Sequence, residues 1–217
     1  MAQLAERMVP IAREDAPGET LEGIFRSGGG GERGAAQAPG GAVVAPPHPL
    51  YGGSLDSPVV NEIAWAASRA GLATLAFNWR GVGASAGEPS AEPGHADADY
   101  AAALAHLAET VSGPLVACGY SFCAAAAVRA TRTSERVKRL VLVAPPAAWI
   151  QAAELRRCQC PALVVVGACD RLAPAQELAA QLAEVPALEL RVIEAADHFF
   201  SVGLAEVGGA ITRWLSE

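Results

Sequence analysis

Val116-Ala117-Cys118-Gly119-Tyr120-Ser121-Phe122-Cys123-Ala124-Ala125-Ala126-Ala127 runs from a short apolar stretch through a single serine into a row of alanines. The apolar stretch predicts a buried strand, and the alanines, the best helix formers, predict a helix. Ser121 then stands on the turn between them. A hydroxyl raised on such a turn reaches a substrate carbonyl, while the helix N-terminus and the next backbone N–H face the oxyanion that forms. The turn leaves little room beside the serine, and Gly119, Cys123 and Ala124 are all small. Cys123 stands where the pattern G-x-S-x-G has its second glycine, and its Cβ fits there if the backbone keeps φ negative. A buried serine that merely opens a helix is the alternative, to be decided by the rest of the chain.

Outward from this stretch, strand and helix patterns alternate. Residues 8–11 and 21–25 read as an antiparallel pair joined through the turn residues Ala16-Pro17-Gly18. Buried-strand patterns follow at 42–45, 72–77, 114–119, 140–144, 161–166 and 188–193. Helical patterns lie at 56–69, 96–109, 122–130, 175–182 and 202–215. Ser54 or Asp56 is expected to start the first of these helices and Gly71 to end it. Asp97 and Asp99 are expected in the first turn of the second, where the helix dipole favours them. Such alternation builds a parallel sheet covered by helices on both faces.

Two glycine-rich stretches invite a nucleotide-binding reading and do not support it. Residues 27–41 hold seven glycines but lack the Lys-Ser/Thr ending of a phosphate loop, which predicts a mobile surface loop. Gly81-Val82-Gly83-Ala84-Ser85-Ala86 fits G-x-G-x-x-A after a strand. A dinucleotide cradle must open a helix at once, whereas Gly87, Glu88, Pro89 and Pro93 intervene. A structural turn is expected instead.

With 217 residues and 52% hydrophobic content, the chain is large enough to bury a full core as one domain spanning residues 1–217. A net charge of −7, with no Lys or Arg run longer than two, argues against a nucleic-acid partner. No uncharged apolar stretch has membrane-spanning length and the first fifteen residues lack a signal-peptide pattern, so a cytoplasmic protein without a membrane partner is expected. Five cysteines in no evident framework fit a reducing compartment. Cys158-x-Cys160 is a weak zinc signal without a second pair, so neither a metal nor a cofactor is expected. Monomer and homodimer both stay open.

The chemistry-bearing residues fall at strand ends. Asp170 follows the strand pattern at 161–166, and His198 follows that at 188–193 in Ala195-Ala196-Asp197-His198-Phe199-Phe200. The carboxyl ends of parallel strands line one crevice, so Ser121, Asp170 and His198 can converge there despite their separation in sequence. Three other readings compete. His48, in the irregular loop Pro46-Pro47-His48-Pro49-Leu50-Tyr51-Gly52-Gly53, lies near enough to the crevice to be a rival base; His95 and His106 fall in or near a surface helix. Asp170 can instead cap the helix that begins near Pro174. Cys118, Cys123 and Cys169 are weaker nucleophiles, because apolar neighbours raise a thiol's pKa. If the loop at 46–53 supplies an oxyanion donor, Pro49 has no N–H to give, which leaves Leu50 or Tyr51.

The order Ser, Asp, His is that of the α/β-hydrolase triad. Together with His48-Pro49-Leu50-Tyr51-Gly52-Gly53, Asn78-Trp79-Arg80-Gly81-Val82-Gly83-Ala84-Ser85, Gly119-Tyr120-Ser121-Phe122 and Ala196-Asp197-His198-Phe199-Phe200, it resembles a group of small, lidless bacterial serine hydrolases within the α/β-hydrolase superfamily, over nearly the whole chain. The resemblance implies an α/β-hydrolase fold: a mostly parallel eight-stranded sheet, helices on both faces and no cap domain. It implies Ser121 as nucleophile, His198 as base, Asp170 as orienting acid, and the backbone N–H groups of Phe122 and Leu50 as oxyanion hole. The expected reaction is hydrolysis of a small-molecule carboxylic ester or thioester; a non-catalytic binding scaffold on the same fold is the alternative. A cap in this superfamily is usually inserted after residue 144. Here 16 residues, 145–160, precede the next strand, enough for one short helix near 149–156. Tyr51, Trp149 and Phe199 are therefore expected to bind substrate in a shallow cleft, with Leu50, Phe122 and Ile150 beside them.

Overall fold

Strands covered by helices on both faces must be apolar on both sides. In the computed structural model, which describes residues 6–28 and 40–217, β3 (Gly41–Ala45), β4 (Ala73–Phe77), β5 (Leu115–Tyr120) and β7 (Ala162–Gly167) are buried at every position. With β1 (Glu6–Ala12), β2 (Thr20–Arg26), β6 (Val137–Val143) and β8 (Leu188–Ile193) they form one eight-stranded sheet in the order β1-β2-β4-β3-β5-β6-β7-β8. The β1–β2 and β2–β4 pairs are antiparallel and the others parallel. The glycine-rich stretch expected as a loop at 27–41 falls mostly on residues 29–39, outside the described residues.

Chain direction across the sheet reverses at β3. The step from β3 to β4 runs one way and the step from β4 to β5 runs back past β3. Right-handed crossovers then put their helices, α1 (Pro58–Arg69) and α2 (Pro93–Thr110), on opposite faces. α6 (Leu204–Ser216) packs against α1, and α3 (Ala124–Thr133) packs against α2. The reversal opens a crevice between the carboxyl ends of β3 and β5, the place where open α/β sheets bind ligands. Among the described residues no helix is long and apolar enough to cross a membrane.

Three local expectations need correction. Proline is favoured at the first helical position, where its missing N–H costs nothing, and both α1 and α2 begin on one. α1 therefore starts at Pro58 behind Ser57, not at Ser54 or Asp56. α2 starts three residues before the expected Ala96, so Asp97 and Asp99 lie beyond its first turn and cap nothing. Asp97 instead pairs with Arg129, and Asp99 with Arg80. Between β6 and β7 lie a 3-10 turn, Ala147–Trp149, and the six-residue α4 (Ala152–Arg157), not one helix over 149–156. Among the described residues no cap domain stands over the crevice. α5 (Ala175–Leu182) joins β7 to β8.

Candidate active site

β5 ends at Tyr120, and the chain turns at once into a 3-10 turn, Ser121–Cys123, and then α3. The turn forces Ser121 to φ +58, a left-handed conformation that costs a non-glycine residue energy and persists only where packing imposes it. Packing is close here: a Cβ on Gly119 would sit 3.1 Å from the backbone of Ala124, a tight contact that the absence of a side chain at Gly119 avoids. Cys123 has φ −75 and ψ −5, negative as its Cβ requires. Its buried thiol donates to the carbonyls of Ala45, at 3.0 Å, and Tyr120, at 3.1 Å. Burial pushes the Cys123 and Cys118 thiols far above their ordinary pKa, which makes them packing groups and not nucleophiles.

The loops after β7 and β8 bring the other two residues to the serine. A Cβ on Gly167 would lie 2.3 Å from the carbonyl oxygen of Ala196, so the two loops are in direct backbone contact. His198 Nε2 lies 2.9 Å from Ser121 Oγ, and His198 Nδ1 lies 2.7 Å from Asp170 Oδ2. All three side chains are buried. Burial alone would raise the Asp170 pKa, but the His198 ring and the N–H groups of Ala173 and Leu172 outweigh it and hold the carboxyl below its ordinary value. Asp170 therefore combines both readings weighed from sequence: Oδ1 accepts from Leu172 N, at 2.8 Å, and Ala173 N, at 2.9 Å, ordering the turn, while Oδ2 faces the imidazole. Asp197 is occupied elsewhere, accepting from the backbone N–H groups of Phe199 and Ser201.

The rival histidine is engaged in a different way. His48 Nδ1 accepts from the Leu50 N–H at 3.2 Å, and its ring packs 4.3 Å from Phe122 and 4.5 Å from Tyr51. Burial lowers the His48 pKa, favouring the neutral ring that this contact needs. Leu50 and Tyr51 lie on the 3-10 turn Pro49–Tyr51, and Tyr51 N donates to the His48 carbonyl. Trp149 packs 5.7 Å from Phe122, and Phe199 lies edge-on to His198 at 5.5 Å. Leu50, Tyr51, Trp149 and Phe199 are exposed, so they rim the serine and do not fill the core.

Several supporting residues escaped the sequence reading. Tyr120 donates its hydroxyl to the His198 carbonyl at 3.1 Å, tying the strand that leads into Ser121 to the histidine loop; its place between Gly119 and Ser121 is the available signal. The turn after β4 anchors the loop that carries Leu50. Trp79 Nε1 donates to the carbonyls of Pro46 and Pro47, and Asn78 Oδ1 accepts from Leu55 N. Ser85 closes the same turn on Glu22 N and the Asn78 carbonyl. Among the described residues no cluster of three His, Cys, Asp or Glu side chains is arranged to hold a metal ion.

Comparison with known proteins agrees with this architecture. The family model Hydrolase_4, described as serine aminopeptidase S33, matches residues 52–157, a stretch that contains Ser121 but neither Asp170 nor His198. An α/β serine hydrolase homologue from Coxiella burnetii is 28% identical and superposes with a TM-score of 0.83 over 96% of this chain and 97% of that one. A serine hydrolase from Xanthomonas campestris, described as lacking a lid, is 25% identical with a TM-score of 0.80 over 100% and 97%. An uncharacterized protein from Rickettsia prowazekii is 28% identical over 80% of this chain and 77% of its own. The chain belongs to the α/β-hydrolase superfamily and has the architecture of its lidless members.

Proposed function

We propose that the protein is a serine hydrolase that cleaves a small carboxylic ester or thioester through an acyl-enzyme on Ser121. The observation that carries this reading is the unbroken hydrogen-bonded chain from Ser121 Oγ through His198 to Asp170, with the serine held at φ +58 at the mouth of the crevice. His198 takes the serine proton as Oγ attacks the carbonyl carbon, and Asp170 stabilises the imidazolium that forms. The oxyanion is held by the N–H of Phe122 and by that of Leu50, which exchanges its His48 Nδ1 partner for the incoming oxygen. His198 then passes the proton to the departing alcohol or thiol, and water, activated by the same base, frees the acid.

Incubation with a fluorophosphonate, read by mass spectrometry, tests the mechanism. Adduct formation on Ser121, absent in Ser121→Ala, is expected together with turnover of p-nitrophenyl acetate. An unlabelled serine, under conditions in which a control esterase reacts, favours a non-catalytic scaffold. Acyl thioesters and amino-acid p-nitroanilides in parallel assays separate thioester and peptide-bond cleavage from the ester reaction.

A further inference from the structure

β1 and β8 are the outer strands of the sheet, and they end it differently. A sheet edge presents unpaired N–H and C=O groups to any chain able to add a strand, and proteins blunt such edges with proline, lysine or a bulge. β1 carries Pro10, which has no N–H to offer. β8, Leu188-Glu189-Leu190-Arg191-Val192-Ile193, carries no proline or lysine and pairs with β7 along its whole length. Among the described residues no strand covers its other edge. Backbone geometry fixes which residues face outward there. The Ala187 carbonyl accepts from Ala162 N and the Ile193 carbonyl from Ala168 N, so the odd-numbered residues turn their peptide groups to β7. By the alternation of a strand, the peptide groups of Leu188, Leu190 and Val192 point to the open edge. Side chains alternate between the two faces of the sheet. Glu189 and Arg191 share one face, where they form an ion pair. Leu188, Leu190 and Val192 share the other, and Val192 is 42% exposed.

We propose that this edge docks a second copy of the chain: β8 pairs antiparallel with β8 of the partner subunit about a two-fold axis at Leu190, and the sheet continues across both molecules. A two-fold contact uses the same patch on each side, so the strand must complement itself. Centred on Leu190, the pairing sets Leu190 against Leu190 of the partner subunit and Leu188 against Val192 of the partner subunit, all with outward peptide groups that exchange hydrogen bonds. Between these pairs each Glu189 faces Arg191 of the partner subunit. Opposite charges directly across a strand pair attract, and like charges there repel. Axes at Glu189 or Arg191 use the same outward peptide groups, but they set Glu189 against Glu189 or Arg191 against Arg191. The charge pattern therefore selects one register, with apolar pairs on one face of the sheet and ion pairs on the other.

Sedimentation velocity over a concentration series of the full chain tests this, with circular dichroism to confirm that each variant is folded. Wild type is expected to dimerise. Glu189→Arg and Arg191→Glu each set like charges across the strand pair at two symmetry-related positions, so each is expected to raise the dissociation constant at least about tenfold. The double variant that carries both substitutions restores opposite charges in the same register and is expected to dimerise as wild type does. An equimolar mixture of the two single variants is expected to form a heterodimer for the same reason. A chain that stays monomeric at every concentration overturns the proposal. So does a dimer whose dissociation constant rises less than about tenfold in either folded single variant, since it must then form on another surface. Single variants that dissociate without recovery in the double variant overturn the register, and the proposal with it. Should a single variant fail to fold, the double variant, in which each charge keeps an opposite neighbour, decides alone: dimerisation supports the pairing, and a folded monomer overturns it.

Discussion

Two groups of hydrogen-bonded polar and charged side chains, each with buried members, lie against the sheet, and they are built in opposite ways. At the end near β1, Arg80 donates to both carboxylate oxygens of Asp99 and to Asp15, while Arg13 reaches Asp15, Glu19 and Asp99. Arg13, Arg80, Asp15 and Asp99 each have at least two partners, so these charges are neutralised from more than one side. Burial alone would lower the Arg80 pKa, but Asp99 and Asp15 outweigh it and raise it. At the other site, Asp170, His198 and Ser121 form a line that ends on a hydroxyl at the cleft. A closed network spends its charge on holding elements together; a line with one end at the cleft can pass a proton to something that enters it.

The sharpest way to break this contrast is at the open end. Ser121→Ala and His198→Ala are each expected to lower kcat by roughly three to six orders of magnitude, because triad members act as a unit, while the melting temperature barely moves. Retention of most activity by either variant removes the assignment. His48→Ala, measured beside them, decides between the two histidines: a fatal loss there with a tolerated His198→Ala transfers the role of base to His48.

Asp170→Asn is next in size. A lost orienting carboxylate leaves the wrong tautomer, a cost of about ten-thousandfold in kcat at neutral pH. The same residue predicts a stability effect with a definite sign. Its folded pKa lies below the ordinary 3.8, so its contribution is fully present above that value and is lost as pH falls through the lower folded one. The stability difference between wild type and Asp170→Asn should therefore shrink between about pH 5 and pH 2 in urea melts. A difference that grows on acidification contradicts the sign.

The closed network should answer in the other currency. Asp99→Ala leaves the Arg80 and Arg13 guanidiniums buried with one anion fewer, and breaking such a cluster costs about 3–5 kcal/mol. Denaturant midpoints are expected to drop accordingly, while kcat per folded molecule stays within about twofold. A large fall in kcat at unchanged stability would mean that the network supports the chemistry directly.

The same contrast explains what could be read from the residues in order. Ser121, Asp170 and His198 are legible because each follows a strand, fully buried for β5 and β7 and buried only at Ile193 for the edge strand β8, and parallel topology brings strand ends together without any detail of the side chains. Asp99 was misread because it pairs with an arginine on another element, and no local periodicity records such a pair. Placing the start of α2 after Pro93 compounded the error. In sequence the proline reads as a break, although at the first helical position it loses no hydrogen bond. The Leu50 N–H contact with His48 was hidden for a further reason, since it depends on the ψ of a proline-rich loop and not on residue type.

Cys123 offers the smallest effect and the finest test of how the elbow is built. If the departure from glycine strained the turn, Cys123→Gly would stabilise the protein and speed acylation. The backbone argues otherwise: φ is −75 at Cys123, where an L-residue is at ease, and the strain sits two residues earlier at Ser121, with φ +58. Glycine would remove the thiol contacts to Ala45 and Tyr120 and add freedom to the unfolded chain, the latter a loss of roughly 0.5–1 kcal/mol. Cys123→Ala removes the thiol alone. The expected order of stability is wild type, then alanine, then glycine, with the last step near that 0.5–1 kcal/mol and kcat unchanged within about twofold throughout. A glycine variant more stable than alanine would place strain at Cys123 after all, and the account of which residue bears the turn would have to be reversed.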